Sequence, residues 1–289
     1  MSEQNIIKMK VERIDRYNED YSFDVNVKEL IMNLFYQLHG LLKYIEINHT
    51  SILDKYIQNL ETKFEEVIHE LGEGVNIFKE YEKSIDLDTI ENFPDLSERY
   101  RRVIEISLNL PEYKIQPDIN EVNITAFDRF RGVKIPLYLT LITLAETIPK
   151  EAAINLYKEL TDKRSKPSKD REPHMHKIDE MLDLYRESFP NTHVYSLFKL
   201  EEGKVVCRID RCMIYEVLED FDKDLDTDIA YLTACLNDYG HARMVNHNFV
   251  LTREKTIMEL DENCDFCWHD KSIQKEITHP NQEFWEELD

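Results

Sequence analysis

Apolar positions in the first half of the chain recur at three- and four-residue steps, the spacing of one face of a helix. Leu30, Ile31, Leu34, Phe35, Leu38, Leu41, Leu42 and Ile45 predict a helix over residues 27–47. Ile52, Tyr56, Leu60, Phe64, Val67 and Ile68 predict a second, which Gly72 and Gly74 would end. Further helices are expected over 96–108, 135–146 and 150–161, the last two begun by Pro136 and Pro149 in the first-turn position that proline favours. The segment RSKPSKDREP, residues 164–173, is charged and carries two prolines, so it reads as an exposed connector. It divides a helical region, 1–165, from a second domain, 166–289.

Beyond a helix through Met181 and Tyr185 the period changes from helical to alternating. The run HVYSLFKLEEGKVVCRID is expected to form a hairpin turning at Glu201-Glu202-Gly203. Two helices should follow, 213–221 and 228 to about 243, the second capped by Asp226 or Thr227. A second hairpin, NFVLTREKTIME and CDFCWHD around a turn at Leu260-Asp261-Glu262-Asn263, closes the pattern. The fold class is therefore α+β: a helical N-terminal half, then a β-β-α-α-β-β half with an antiparallel sheet.

Composition narrows the function. With 289 residues, 42% of them hydrophobic, the chain can bury a substantial core. Its 58 acidic against 36 basic residues give a net charge of -22, which repels phosphate backbones and anionic bilayers, so neither nucleic acid nor a membrane is an expected partner. No apolar run approaches the ~20 residues that span a bilayer, and the first residues lack a signal-peptide core, which leads us to expect a cytosolic protein. Abundant Ile, Lys, Asn and Glu with only six glycines hint at a bacterial genome of low GC content and leave no glycine-rich phosphate loop. The apolar stripes of the first two helices could pair within the chain or across a homodimer.

All five cysteines, Cys207, Cys212, Cys235, Cys264 and Cys267, lie in the final third. In a reducing compartment they would be packing groups, metal ligands or catalytic groups before disulfides. Zinc is one open reading, because His241, His247 and His269 accompany the thiols. The spacing argues against it: Cys207 and Cys212 are four residues apart in between, and Cys264 and Cys267, three apart on a strand, should face opposite ways. Cys235 and Asp238, three apart on a helix, share one face with His241 a step further. Cys235 could equally be a small buried hydrophobe between Leu232 and Leu236. His174 and His176 read as a surface pair.

In order along the chain stand Cys212, Cys235-x-x-Asp238, Asn246-x-Asn248, Arg253-x-x-Thr256 and Cys264-Asp265-Phe266. This series resembles the L-2-amino-thiazoline-4-carboxylic acid hydrolase-like family, with departures at Met213, where the family often has proline, at Glu254, where it commonly has threonine, and at Leu260-Asp261, where it has Gly-Asp. The resemblance implies hydrolytic opening of a small cyclic amidine, a 2-amino-thiazoline. It would make Cys235 the nucleophile or the group positioning water, Asp238 the proton-transfer group and His241 a second base. Asn246 and Asn248 would hydrogen-bond the amidine or an oxyanion, and Arg253 would hold the substrate carboxylate. Cys212 and Cys264 fall at matching positions with catalysis, metal binding and packing all open. Two other classes of function stay open as well: a small-molecule or metal-binding sensor domain related to 4-vinyl reductase-like domains, and an interaction scaffold.

Overall fold

The computed structural model describes residues 11–71, 90, 92–109, 121–166 and 173–288. Gly72 and Gly74, expected to end the second helix, and residues 167–172 of the expected connector lie outside the described residues. The chain forms two compact units, one of Asp20–Leu160 with Glu216–Thr233, the other of Met1–Glu19, Thr161–Tyr215 and Ala234–Asp289.

In the first unit a two-stranded antiparallel ribbon, β2 (Ser22–Asn26) with β3 (Glu121–Thr125), feeds two long helices. Asn26 caps α1 (Val27–Asn48), its Oδ1 accepting from Glu29 N at 3.1 Å. The apolar stripe read from the sequence is buried along α1, and that of α2 (Thr50–Leu71) likewise. The expected third helix is α3 (Pro94–Ser107). The next, α4 (Ala126–Thr147), begins nine residues before the expected start at Ile135 and holds Pro136 in its interior. Thr125 caps it, accepting from Asp128 N at 3.0 Å and donating to the Asp128 carboxylate at 2.7 Å. Buried residues surround α4 on all sides, which erases the one-sided stripe that would have revealed its first turns. Then α5 (Lys150–Arg164) follows.

In the second unit a five-stranded antiparallel sheet runs in the order β1-β4-β5-β7-β6, where β1 is Glu12–Asp15, β4 His193–Glu201, β5 Lys204–Cys212, β6 Phe249–Thr252 and β7 Cys264–Asp270. The β4–β5 hairpin turns where expected, with Gly203 at φ +77°. Both faces of the sheet are covered. Cys207, Cys264, Phe266 and Trp268 pack on one side with Met181 and Tyr185 of α6 (Glu180–Ser188). Val206 and Cys267 pack on the other with Trp285 of α10 (Gln282–Glu286). A sheet covered twice explains the near-continuous apolar runs of β4 and β5. The chain is thus α+β, with helices in its N-terminal half and helix and antiparallel sheet mixed in its C-terminal half.

Between the hairpins stand α7 (Met213–Phe221), α8 (Thr227–Ala234) and α9 (Asn237–Val245). The single helix expected from Asp228 to about Arg243 is therefore two, broken at Cys235–Leu236. The break has a cause. Arg253 Nη2 donates to the Cys235 carbonyl at 3.2 Å, as does Asp238 N at 3.2 Å, so that oxygen closes a tight turn and does not propagate the helix. Asp226 is the cap of α8, its Oδ1 accepting from Ile229 N at 3.2 Å.

The second hairpin is shorter on its first side than expected, since β6 stops at Thr252. Asp265 takes over the backbone there, its Oδ1 accepting from Glu254 N at 2.9 Å and Lys255 N at 2.8 Å. The following turn places Leu260 at φ +70° with its side chain exposed. A left-handed leucine costs about 1–2 kcal/mol, offset in part by the chain entropy it removes from the unfolded state. Leu260→Gly is expected to raise stability by up to about 1 kcal/mol in urea titration; a loss of stability would show that this backbone carries no strain.

Candidate functional site

A cavity of about 310 Å3 opens between the sheet and the helices of the second unit. The size suits a small molecule. Alternation along β7 points Cys264, Phe266 and Trp268 into it, and β5 adds Ile209 and Cys212 at its end. His193 enters from the first residue of β4. Met181, Leu184 and Tyr185 of α6 form an apolar wall with Phe189 beyond it. Ala234, Cys235, Asp238 and His241, around the break between α8 and α9, close the remaining side.

That break is what brings Cys235 and Asp238 together with Arg253. Arg253 Nη1 donates to Asp238 Oδ2 at 2.8 Å, and its guanidinium lies 4.7 Å from the Phe266 ring centroid and 5.3 Å from that of Tyr239. The Arg253 side chain is 1% exposed against 34% for Asp238. Asp238 therefore meets the cavity while Arg253 backs it from behind. The expected grip of Arg253 on a substrate carboxylate finds this side chain outside the cavity lining, committed to Asp238, the Cys235 carbonyl and two rings.

The Thr256 hydroxyl stands between two thiols, 3.8 Å from Cys235 Sγ and 3.6 Å from Cys264 Sγ. Cys264 Sγ also accepts from Ile257 N at 3.3 Å. Burial pushes the Cys235 thiol well up; Arg253 pulls the other way, and Asp238, Cys264 and Cys212 add to the rise. Burial raises Cys264 too, against its hydrogen bonds with Ile257 N and the Thr256 hydroxyl. Both are neutral thiols at neutral pH, able to donate a hydrogen bond but not resting nucleophiles.

At the cavity's other end sits a pair that sequence reasoning missed. His193 is 3% exposed, its Nε2 is 3.3 Å from Cys212 Sγ and its Nδ1 is 2.8 Å from Thr192 Oγ1. Burial lowers the His193 pKa to about 3, which keeps the imidazole neutral. The signal lay in the hairpin register: the turn pairs Glu201 with Lys204, and counting outward from there sets His193 against Cys212 at the far end.

Asn246 and Asn248 lie elsewhere, in the turn from α9 to β6 and outside the cavity lining. Asn246 donates to the Met175 carbonyl at 2.9 Å and accepts from Asn248 N at 2.9 Å. These bonds explain the asparagines by turn formation. His241 lines the cavity and is exposed, and His174 and His176 are both on the surface. Cys264 and Cys267 do face opposite sides of the sheet. Among the described residues no group of three or more His, Cys, Asp or Glu side chains is arranged to hold a metal ion, so the zinc reading finds no donor set. Among those residues no helix is long and apolar enough to cross a membrane.

No curated protein and no solved structure matches the chain. Residues 133–268, a stretch that contains every residue lining the cavity, match the family model of L-2-amino-thiazoline-4-carboxylic acid hydrolase, and it is this stretch of the chain that is similar to that family.

Proposed function

We propose that the cavity binds a small cyclic amidine of the 2-amino-thiazoline type and opens it by hydrolysis. The observation that carries this reading is the meeting of Asp238, Cys235 and the Cys212–His193 pair on one small-molecule cavity inside the family-matched stretch. The amidine carbon lies between sulfur and nitrogen and is electrophilic. Addition there, followed by cleavage of the carbon–sulfur bond, consumes one water and yields a urea that carries a free thiol. Asp238, held by Arg253, accepts hydrogen bonds from the amidine nitrogens and so aligns the ring. Cys235, as a neutral thiol, donates a hydrogen bond to the departing sulfur. The rings of Phe266 and Trp268, stacked at 16°, give the flat heterocycle an apolar bed.

A second reading, ligand binding without chemistry, is favoured by the burial that keeps Cys235 and Cys264 protonated. An NMR time course with 2-amino-thiazoline-4-carboxylate separates the two. Turnover by the native chain is expected, and Asp238→Asn should lower it by about 100-fold, the order of loss that misplacing a substrate can cause. A folded native chain that leaves the ring intact would sink the hydrolase reading and leave the binding one.

A further inference from the structure

We propose that Cys212 and His193 are the nucleophile and base of this cavity, so that ring opening proceeds through a covalent intermediate on Cys212. The proposal rests on the hydrolytic reading above for its substrate, but its geometry stands independently.

Three thiols line the cavity, and their surroundings differ. Cys235 Sγ has the Thr256 hydroxyl at 3.8 Å, and Cys264 Sγ is 5% exposed and receives a backbone N–H. Neither contact can take a proton from sulfur. Cys212 is half-buried on the cavity wall with His193 Nε2 at 3.3 Å, within the reach of a sulfur hydrogen bond. In the tautomer that carries its proton on Nδ1, that N–H donates to Thr192 Oγ1 at 2.8 Å and Nε2 is the acceptor facing Cys212. Nucleophile, base and a third group that orients the base therefore stand in line, the arrangement that activates a thiol. The Phe189 ring meets the imidazole edge to face with centroids 4.7 Å apart and fixes its plane.

The chemistry balances without any further reagent than water. Cys212 Sγ bonds to the amidine carbon as its proton passes to His193 Nε2. The bond from that carbon to the ring sulfur then breaks, the sulfur keeps the electron pair, and the imidazolium returns the proton to it. An isothiourea remains on Cys212 with all the atoms of the substrate attached. Water, losing a proton to His193, adds to the same carbon. The carbon–Sγ bond breaks, Sγ regains the proton, and the urea leaves.

Two measurements on the full chain test this. Alkylation by iodoacetamide, mapped by peptide mass, is expected to modify Cys212 before Cys235 and Cys264, and His193→Gln should slow it by about 10- to 100-fold, the lower part of the range for a positioned base. Preferential labelling of Cys235, or a rate at Cys212 that ignores His193→Gln, would overturn the pair. Rapid acid quench of the native chain with 2-amino-thiazoline-4-carboxylate should yield an adduct of the full substrate mass on Cys212, and Cys212→Ala, shown folded by circular dichroism, should lose turnover by about 1,000-fold or more. Turnover that survives Cys212→Ala would overturn the nucleophile and leave hydrolysis standing. Absent turnover in the native chain, with alkylation still dependent on His193, would instead remove the hydrolytic reading and support the pair.

Discussion

Replacing Arg253 with methionine is expected to cost about 2–4 kcal/mol of stability, a large fraction of what a typical domain possesses. Methionine keeps much of the apolar stem, so the loss isolates the guanidinium. Three interactions disappear together. Asp238 loses its partner at 2.8 Å, the Cys235 carbonyl loses a donor at 3.2 Å, and the Phe266 and Tyr239 rings lose a cation. The last is worth about 0.5–2 kcal/mol, and the charged hydrogen bond to the carbonyl, which keeps its bond from Asp238 N, about 1.5–3 kcal/mol. The partial exposure of Asp238 keeps the sum below that of a fully buried pair. A double-mutant cycle with Asp238→Leu, read by urea unfolding, should recover at least about 1 kcal/mol, because removing both charges leaves neither stranded. Should Arg253→Met lose less than about 1 kcal/mol, the guanidinium would not be what holds the break between α8 and α9.

The same arginine shows where the sequence ceased to be legible. Elements whose cause is local were readable: the β4–β5 hairpin from its glycine turn, α1 and α2 from their stripes, and the opposed faces of Cys264 and Cys267 from the period of a strand. Features whose cause lies far along the chain were not. The break after Ala234 is made by a side chain eighteen positions after Cys235, and a helical period over Leu232, Leu236 and Tyr239 carries no trace of it. β1, with the sequence ERID, is a strand because β4 offers it an edge, not because of any apolar alternation. Of the eight candidate residues, five line one cavity: Cys235, Asp238 and His241, which share a helical spacing, and Cys212 and Cys264, which the family resemblance pointed to. Asn246, Asn248 and Arg253 do not, because backbone groups and Asp238 occupy their polar atoms first. His193 escaped notice because a histidine at the head of an apolar strand has no motif around it, and only the register reveals its partner.

Stability is expected to fall steeply as the pH drops below about 6.5, and His193 and His269 are the reason. Both are buried, and burial first of all depresses their pKa values, to about 3 and about 4, with Lys204 and His279 adding to the effect at His269. The unfolded chain titrates near 6.5, so between that pH and the folded values it binds protons that the folded chain refuses. Stability is then fully present above about 6.5 and is lost at about 1.4 kcal/mol per pH unit for each histidine as the pH falls. Local structure agrees with the sign. A proton on His269 would create an N–H at Nδ1, a buried atom with no hydrogen-bond partner, while Nε2 already meets Thr252 Oγ1 at 2.9 Å. That hydroxyl also meets His279 Nδ1 at 2.9 Å, and His279 Nε2 lies 3.0 Å from Asp265, so the Thr252 oxygen already serves two imidazoles. With Cys212 still carrying its own proton, a proton taken up from solvent by His193 would put a charge against the Phe189 ring and a neutral thiol, neither of which can compensate it. From pH 6 to pH 5, before most carboxylates titrate, the two together should remove roughly 2–3 kcal/mol. Urea titrations at pH 7, 6 and 5 should show that slope in the native chain and about half of it in His193→Gln or His269→Gln. Slopes unchanged in both variants would place the acid sensitivity elsewhere, whereas a change in His269→Gln alone would mean that the cavity admits enough water to solvate a charged His193.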